Sequence, residues 1–345
     1  MDSEILIEVS QLSRYYPGNN EKGHNGYTIA VDNINFTLQR GEVLGFLGPN
    51  GAGKSTTMQM LTGNLAPSHG SIKIGGLDLM DNPIEAKALI GYLPDTPPLY
   101  KELTVDEYLG YCARLNRISK NKVQQAINTS KERCGLTEHG RRVINNLSKG
   151  YQQRVGIAQA IIHAPDIVIL DEPTVGLDPI QMIEIRKLIK ELGETHSVML
   201  SSHILPEVQT ICDNVQIINQ GKLVISASIE ELNEHMQTHI LHMSCSNPVA
   251  IDQLEALESI NSVQQKGDKL ILHCSHDNFS ATENKANKQP SVQQTSQQLI
   301  ALAAAENWGL YEIYPEKRTL EDIFMSLTCV EPSLAHNEKQ EQAID

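Results

Sequence analysis

Residues 5–9 are apolar apart from Glu8 and read as a strand, and a strand-like stretch returns over 27–38 after the Gly- and Asn-rich residues 17–26. Residues 42–47, apolar after Glu42, form a short run that closes on glycine, and the pattern from Lys54 to Leu61 predicts a helix. A strand is expected over 71–74. Helical spacing then recurs over 106–116, 120–134 and 149–163, between two strand regions. That clustering predicts a helical subdomain, about residues 92–163, inserted into an α/β core. Residues 167–170 are continuously apolar, as in a strand buried on both faces. Helices over 180–192 and 205–212 alternate with strands over 197–201 and 215–219, so the sheet is expected to be largely parallel, with helices on its faces.

A second pattern starts near residue 238. Strands are expected over 240–245, 262–265, 270–274 and 310–314, helices over 249–257 and 295–306, and a hairpin turn at Gly267-Asp268. The order β-α-β-β-α-β is that of a split βαβ, ferredoxin-like α+β unit. The expected division is therefore 1–230 and 231–330, with a polar insertion at about 276–294 and a disordered tail over 331–345. A further helix is expected over 320–327.

Composition changes the picture in two ways. With 28 Lys and Arg against 42 Asp and Glu in 345 residues, the net charge is −14, which argues against a basic nucleic-acid-coating surface. The acidity is uneven: residues 1–230 carry 21 basic and 25 acidic side chains, and residues 231–345 carry 7 and 17. No apolar run approaches the ~18 residues of a membrane span, and the acidic Met1-Asp2-Ser3-Glu4 does not read as a signal peptide. A cytoplasmic chain is expected, with any membrane role supplied by a partner. Six scattered cysteines without a C-x-x-C pair read as free thiols, and no His/Cys cluster suggests zinc.

Two segments carry chemistry on their own terms. Gly48-Pro49-Asn50-Gly51-Ala52-Gly53-Lys54-Ser55, followed by Thr56, fits G-x-x-x-x-G-K-[ST] between a strand and a helix. Its glycines let backbone N–H groups curl round phosphates, the helix offers its positive end, Lys54 supplies charge and Ser55 a hydroxyl for Mg²⁺. The run 167–170 then delivers Asp171 and Glu172 at a strand's C-terminal end, where α/β sheets bind ligands. A strand ending in acids is common by itself; 117 residues after a phosphate loop it points to a metal carboxylate, Asp171, and a general base, Glu172.

Leu147-Ser148-Lys149-Gly150-Tyr151-Gln152-Gln153-Arg154 resembles the signature motif of ATP-binding cassette (ABC) proteins, 23 residues before Asp171. Asp171-Glu172-Pro173-Thr174 with Gly176-Leu177-Asp178 resembles their Walker B and D-loop, and Ser201-Ser202-His203 their switch histidine. Leu12-Ser13-Arg14-Tyr15-Tyr16 resembles the adenine-stacking region, with Tyr16 as the better match. The resemblance covers about residues 4–230. It implies a P-loop NTPase core of ABC type that binds ATP and Mg²⁺ and hydrolyses ATP. Ser148, Gly150 and Gln152 would contact ATP held by a second subunit, and His203 would hold the γ-phosphate and water in line with Glu172. Two chains, identical or not, would pair head to tail. One position departs from the family pattern: where a glutamine is usual, Gly91-Tyr-Leu-Pro-Asp95 carries an acid, a metal ligand that cannot donate a hydrogen bond when ionised.

Residues 92–109 are similar to the ATPases of ABC-2-type exporters, and the group linked to gliding motility looks closest; residues 319–328 resemble the same group's ending. Those proteins pair with a permease on a separate chain and sit at the inner face of the membrane. Residues 97–109 are the expected coupling segment. The competing class is a soluble ABC ATPase acting on ribosomes or nucleic acid, which one phosphate loop, no sustained heptads and the acidic balance disfavour. Cargo is not legible in the sequence.

Overall fold

The computed structural model describes residues 4–17, 27–257, 259–267, 269–274 and 292–317. The chain divides into two compact units between Ile229 and Glu230. Asp268, Cys329, residues 276–291 of the expected insertion, the expected helix over 320–327 and the tail over 331–345 lie outside the described residues.

In the first unit, β1 (Ile5–Pro17) pairs antiparallel with β2 (Tyr27–Gln39). Next come β3 (Val43–Leu47), α1 (Lys54–Leu61), β4 (His69–Ile74), β5 (Leu77–Asp78), α2 (Pro83–Ala88) and β6 (Ile90–Leu93). Three helices precede the next strand: α3 (Val105–Leu115), α4 (Val123–Arg133) and α5 (Lys149–Ile161). The chain then alternates through β7 (Ile167–Asp171), α6 (Pro179–Gly193), β8 (Ser197–Ser202), α7 (Leu205–Ile211), β9 (Asn214–Asn219) and β10 (Lys222–Ser228).

One sheet has the order β2-β1-β4-β5; the other runs β10-β9-β3-β8-β7-β6. In the second, β9, β3, β8, β7 and β6 are mutually parallel and β10 is an antiparallel edge. Every residue of β3 and β7 is buried, which is why 43–47 and 167–170 read as continuous runs without polar residues rather than alternating ones. The core joins both sheets through Phe46, Met58, Leu61, Ile72, Ile169 and Met199. Because β3, β7 and β8 are adjacent and parallel, they deliver the phosphate loop, Asp171-Glu172 and His203 to one end of the sheet.

Local signals explain the helix starts. Thr104 and Glu107 form a reciprocal capping box on α3. Asp178 caps α6 by accepting from the Gln181 N–H at 2.9 Å, with Pro179 in the first turn. Sequence reading passes over β5, α2, β6 and β10. The omission of β6 matters most, because residues 90–93 are a strand of the central sheet and not the start of a loop. Gly91 and Tyr92 give it no strand pattern of its own; its pairing with β7 makes it a strand.

In the second unit, α8 (Ile229–Met236) leads to β11 (Gln237–Cys245), α9 (Ile251–Glu255), β12 (Ile260–Lys266), β13 (Lys269–Cys274), α10 (Val292–Ala305) and β14 (Leu310–Lys317). The sheet order is β12-β13-β11-β14, antiparallel throughout, as the split βαβ reading requires. Leu241, Met243, Leu272, Leu299 and Trp308 form its core. Among the described residues no helix is long and apolar enough to cross a membrane.

Candidate functional site

The loop between β3 and α1 is shaped by two close approaches. Gly53 caps α1 at φ 112°, a left-handed conformation, and a Cβ there would meet the Ala30 carbonyl at 2.6 Å. A Cβ on Gly48 would collide with the Ile218 carbonyl of β9. The loop therefore lies flat against its neighbours and leaves the α1 N-terminus facing a cavity of about 410 Å³. Asn50, Gly51, Gly53, Lys54, Ser55, Thr56, Asp95, Glu172 and His203 line that cavity, together with Ala30 and Val175. Residues from the β3, β6, β7 and β8 ends, separated by up to about 150 positions in sequence, thus converge there.

Lys54 is buried, with 5% of its surface exposed. Its ammonium donates to the Gly48 carbonyl at 2.8 Å and the Pro49 carbonyl at 3.2 Å, and sits 3.1 Å from Glu172 Oε1. The other oxygen, Glu172 Oε2, is 2.9 Å from His203 Nδ1. An ionised carboxylate only accepts, so Nδ1 carries the proton and Nε2 is left for another partner. Glu172 is thus held between a cation and an imidazole, one on each oxygen. Its backbone is left-handed at φ 49°, unusual for a glutamate, and its N–H donates to Ser201 Oγ at 2.9 Å.

Asp171 accepts from Ser201 Oγ at 2.5 Å and from Ser55 Oγ at 3.3 Å. Burial raises its pKa above the usual carboxylate range; the two hydroxyls oppose that shift, and the nearby negative charges of Glu172 and Asp95 add to it. Ser55, Asp171 and Asp95 are all oxygen donors. Among the described residues no group of three or more His, Cys, Asp and Glu side chains forms a metal site by itself.

The sequence pattern of the family described as ABC transporter matches residues 31–175. The bacitracin transport ATP-binding protein BcrA of Bacillus licheniformis is 34% identical over 79% of this chain and 85% of its own length. The linearmycin resistance ATP-binding protein LnrL of Bacillus subtilis is 31% identical over 90% of this chain and 96% of its own. The chain belongs to the ABC transporter ATP-binding proteins. A solved ATP-binding subunit of an ABC transporter superposes with a TM-score of 0.57 at 29% identity, covering 67% of this ABC protein and 92% of that chain. CbiO1 of Clostridium perfringens, part of the transporter complex cbiONQ, gives 0.59 at 27%, covering 66% and 90%. This chain is accordingly an ATP hydrolase of ABC type.

Not every expected residue of this ABC ATPase reaches the cavity. Tyr16, near the end of β1, is not among the lining residues, and the Arg14 guanidinium lies 4.8 Å above its ring. Ser148 and Gly150 open α5 away from it. Ser148 Oγ accepts from the Tyr151 N–H at 3.5 Å, and Gly150 lies under Gln181, whose side chain a Cβ would meet at 2.8 Å. Gln152 spends its amide on the Leu147 and Ile144 carbonyls, at 3.0 and 3.3 Å, holding the signature loop in shape. Sequence reading missed the two serines that end β8. Ser201 organises Asp171 and Glu172 as described, and Ser202 donates to Glu207 Oε2 at 3.0 Å. Their only sequence signal is their place directly before His203.

Proposed function

We propose that this protein is the separate ATP-hydrolysing subunit of an ABC-2-type exporter, and that Glu172 is its general base. The observation that carries the reading is the placement of the Glu172 carboxylate between Lys54 and His203 at the mouth of the phosphate loop. Gly48 to Thr56 wrap the phosphates, with Pro49, Asn50, Gly51, Ala52 and Gly53 supplying backbone and Lys54 the charge. Glu172 takes a proton from the attacking water, and His203 holds the terminal phosphate in register with it. Catalysis of this kind is mainly positioning and charge stabilisation.

Ser55, Asp171 and Asp95 are the residues that would hold Mg²⁺. Mg²⁺ uses one or two carboxylates and completes its shell with water and phosphate oxygens, so a donor set of one hydroxyl and two carboxylates suits it. When bound, it would offset the negative charge of the phosphates and of the carboxylates beside them. Ser148, Gly150 and Gln152 lie outside the cavity of their own chain, which supports a site completed by a second ATPase subunit, identical or not, with two-fold symmetry. Tyr16 would stack on adenine once Arg14 moves off its ring.

A groove of about 730 Å³ between β6 and α3, lined by Tyr92, Pro94, Pro98, Tyr100, Tyr108 and Tyr111, supports residues 97–109 as the surface that meets the permease. It begins one residue from Asp95, so movement at the metal-binding loop reaches it directly. Membrane attachment follows from that partner. The finer resemblance to the gliding-motility group rests on the residues 92–109 and 319–328 quoted above. Residues 231–330 are read as an accessory, regulatory unit.

Purification of the Glu172→Gln variant from detergent-solubilised cells with ATP tests the whole reading. A co-purifying polytopic membrane protein is expected. Ribosomal proteins or nucleic acid with no membrane partner would overturn the exporter reading in favour of the soluble class.

A further inference from the structure

Behind the cavity, one buried carboxylate ties together the two chain ends that carry Glu172 and His203. Glu207, on α7, is 1% exposed. Its Oε2 accepts from Thr174 Oγ1 at 2.8 Å and from Ser202 Oγ at 3.0 Å, and its Oε1 accepts from Arg186 Nη2 at 2.9 Å. Thr174 lies two residues past Glu172, and Ser202 directly precedes His203. Ser202 Oγ also accepts from the Ile204 N–H at 3.0 Å, so this hydroxyl fixes the backbone on both sides of the histidine.

The sheet alone does not set this geometry. The β7–β8 ladder ends at Asp171 and Ser201, one residue before Glu172 and two before His203. Past that point Glu172 turns left-handed and the two segments leave the sheet separately. A buried carboxylate is costly, and an apolar group of the same volume is often as stable or more so. Glu207 compensates its cost with one cation and two hydroxyls. In return it registers the segment after β7 against the segment after β8 at a single point.

We propose that Glu207 is a positioning residue for ATP hydrolysis: its carboxylate, through Thr174 and Ser202, sets the spacing of Glu172 and His203. Glu207 is not among the residues that line the phosphate-loop cavity. The proposal rests on the reading of Glu172 and His203 as the residues that carry the chemistry.

A double-mutant cycle on the full-length chain tests it. The wild type, Glu207→Gln, His203→Ala and the double variant are compared below the lowest of their unfolding temperatures. kcat and KM for ATP are read separately, and single turnover of radiolabelled ATP extends the range for slow variants. Glu207→Gln is expected to lower kcat at least about ten-fold with KM within about two-fold. In the His203→Ala background it is expected to change kcat by less than about two-fold, because no histidine is left to position. An equal loss in both backgrounds would overturn the proposal, as would a raised KM with unchanged kcat, or wild-type kinetics in Glu207→Gln. Where Glu207→Gln does not fold, Ser202→Ala removes one arm while leaving Glu207 with Arg186 and Thr174, and the same two numbers decide. Wild-type turnover in His203→Ala alone would instead remove the catalytic reading, and the proposal with it.

Discussion

The larger unit buries charged side chains: Lys54, Lys131, Asp171 and Glu207. Among the described residues of the smaller unit, the buried polar side chains are Ser244, Ser259 and Thr295, and none is charged. The smaller unit is held by an ordinary apolar core of Leu241, Met243, Leu272, Leu299 and Trp308. In the larger unit each buried charge has a partner. Lys54 has Glu172, Lys131 has Asp106 at 2.6 Å, Glu207 has Arg186, and Asp171 has two hydroxyls. Three of those four cluster behind or around one sheet end. A fold needs no such arrangement for stability, since burying ions is costly even when they are paired. The difference therefore marks where chemistry constrains the sequence and where packing alone does.

The comparison can be broken by mutation. The largest effect is expected from Glu172→Gln, which removes the proposed general base but keeps the shape. Turnover should fall by about 10² to 10⁴-fold, with ATP binding retained, as read by hydrolysis and by nucleotide retention on a filter. Full turnover in that variant would refute the assignment. Lys54→Ala should instead weaken ATP binding itself, on the order of ten-fold or more, because the phosphates lose their charge partner. Comparing the two affinities separates chemistry from binding.

Leu272→Ala tests the other unit. This side chain is fully buried in β13, so its truncation should cost about 2–5 kcal/mol of stability there, read by denaturant unfolding. ATP turnover at 25 °C should stay within about two-fold; a collapse of turnover would mean that the chemistry depends on the smaller unit's core. Asp95→Gln is expected to keep turnover while shifting its Mg²⁺ dependence, because the amide adds a donor and removes a charge. An unchanged Mg²⁺ titration would place Asp95 outside the metal's reach.

The smallest effect concerns Asp171. Its pKa is raised by burial, so the folded chain holds this proton more tightly than the unfolded chain does. Its contribution to stability is present below the ordinary aspartate value of about 3.9 and is lost as pH rises through the raised value. Without nucleotide, Asp171→Asn should raise Tm at neutral pH, and the gain should vanish in acid. A gain that is constant with pH would count against the shift.

The sequence made some of this legible for physical reasons. The phosphate loop, Asp171-Glu172 and the β-α-β-β-α-β order are local patterns, and their elements fall where those patterns predict. β6 was not legible, because four residues that include Gly91 and Tyr92 become a strand only through their pairing with β7. The roles of Ser201, Ser202 and Glu207 were not legible either. Ser201 and Glu207 depend on partners 29 to 33 positions away, Ser202 acts through Glu207, and serine carries no period or spacing of its own. The left-handed backbone of Glu172 was equally hidden, since glutamate is not a residue that signals a turn.

That backbone also sets the direction in which neutral change would run. Gly adopts the conformation of Glu172 without the roughly 1–2 kcal/mol that a side chain with a Cβ costs there, and Asn does so more readily than Glu. Either replacement removes the carboxylate proposed as the base. Against that relief stands the buried Lys54, which would lose its carboxylate partner, so a lineage released from the need to hydrolyse ATP would meet two opposing terms at this one codon. Glutamate at position 172 is thus held against its own conformational preference by the charge it answers.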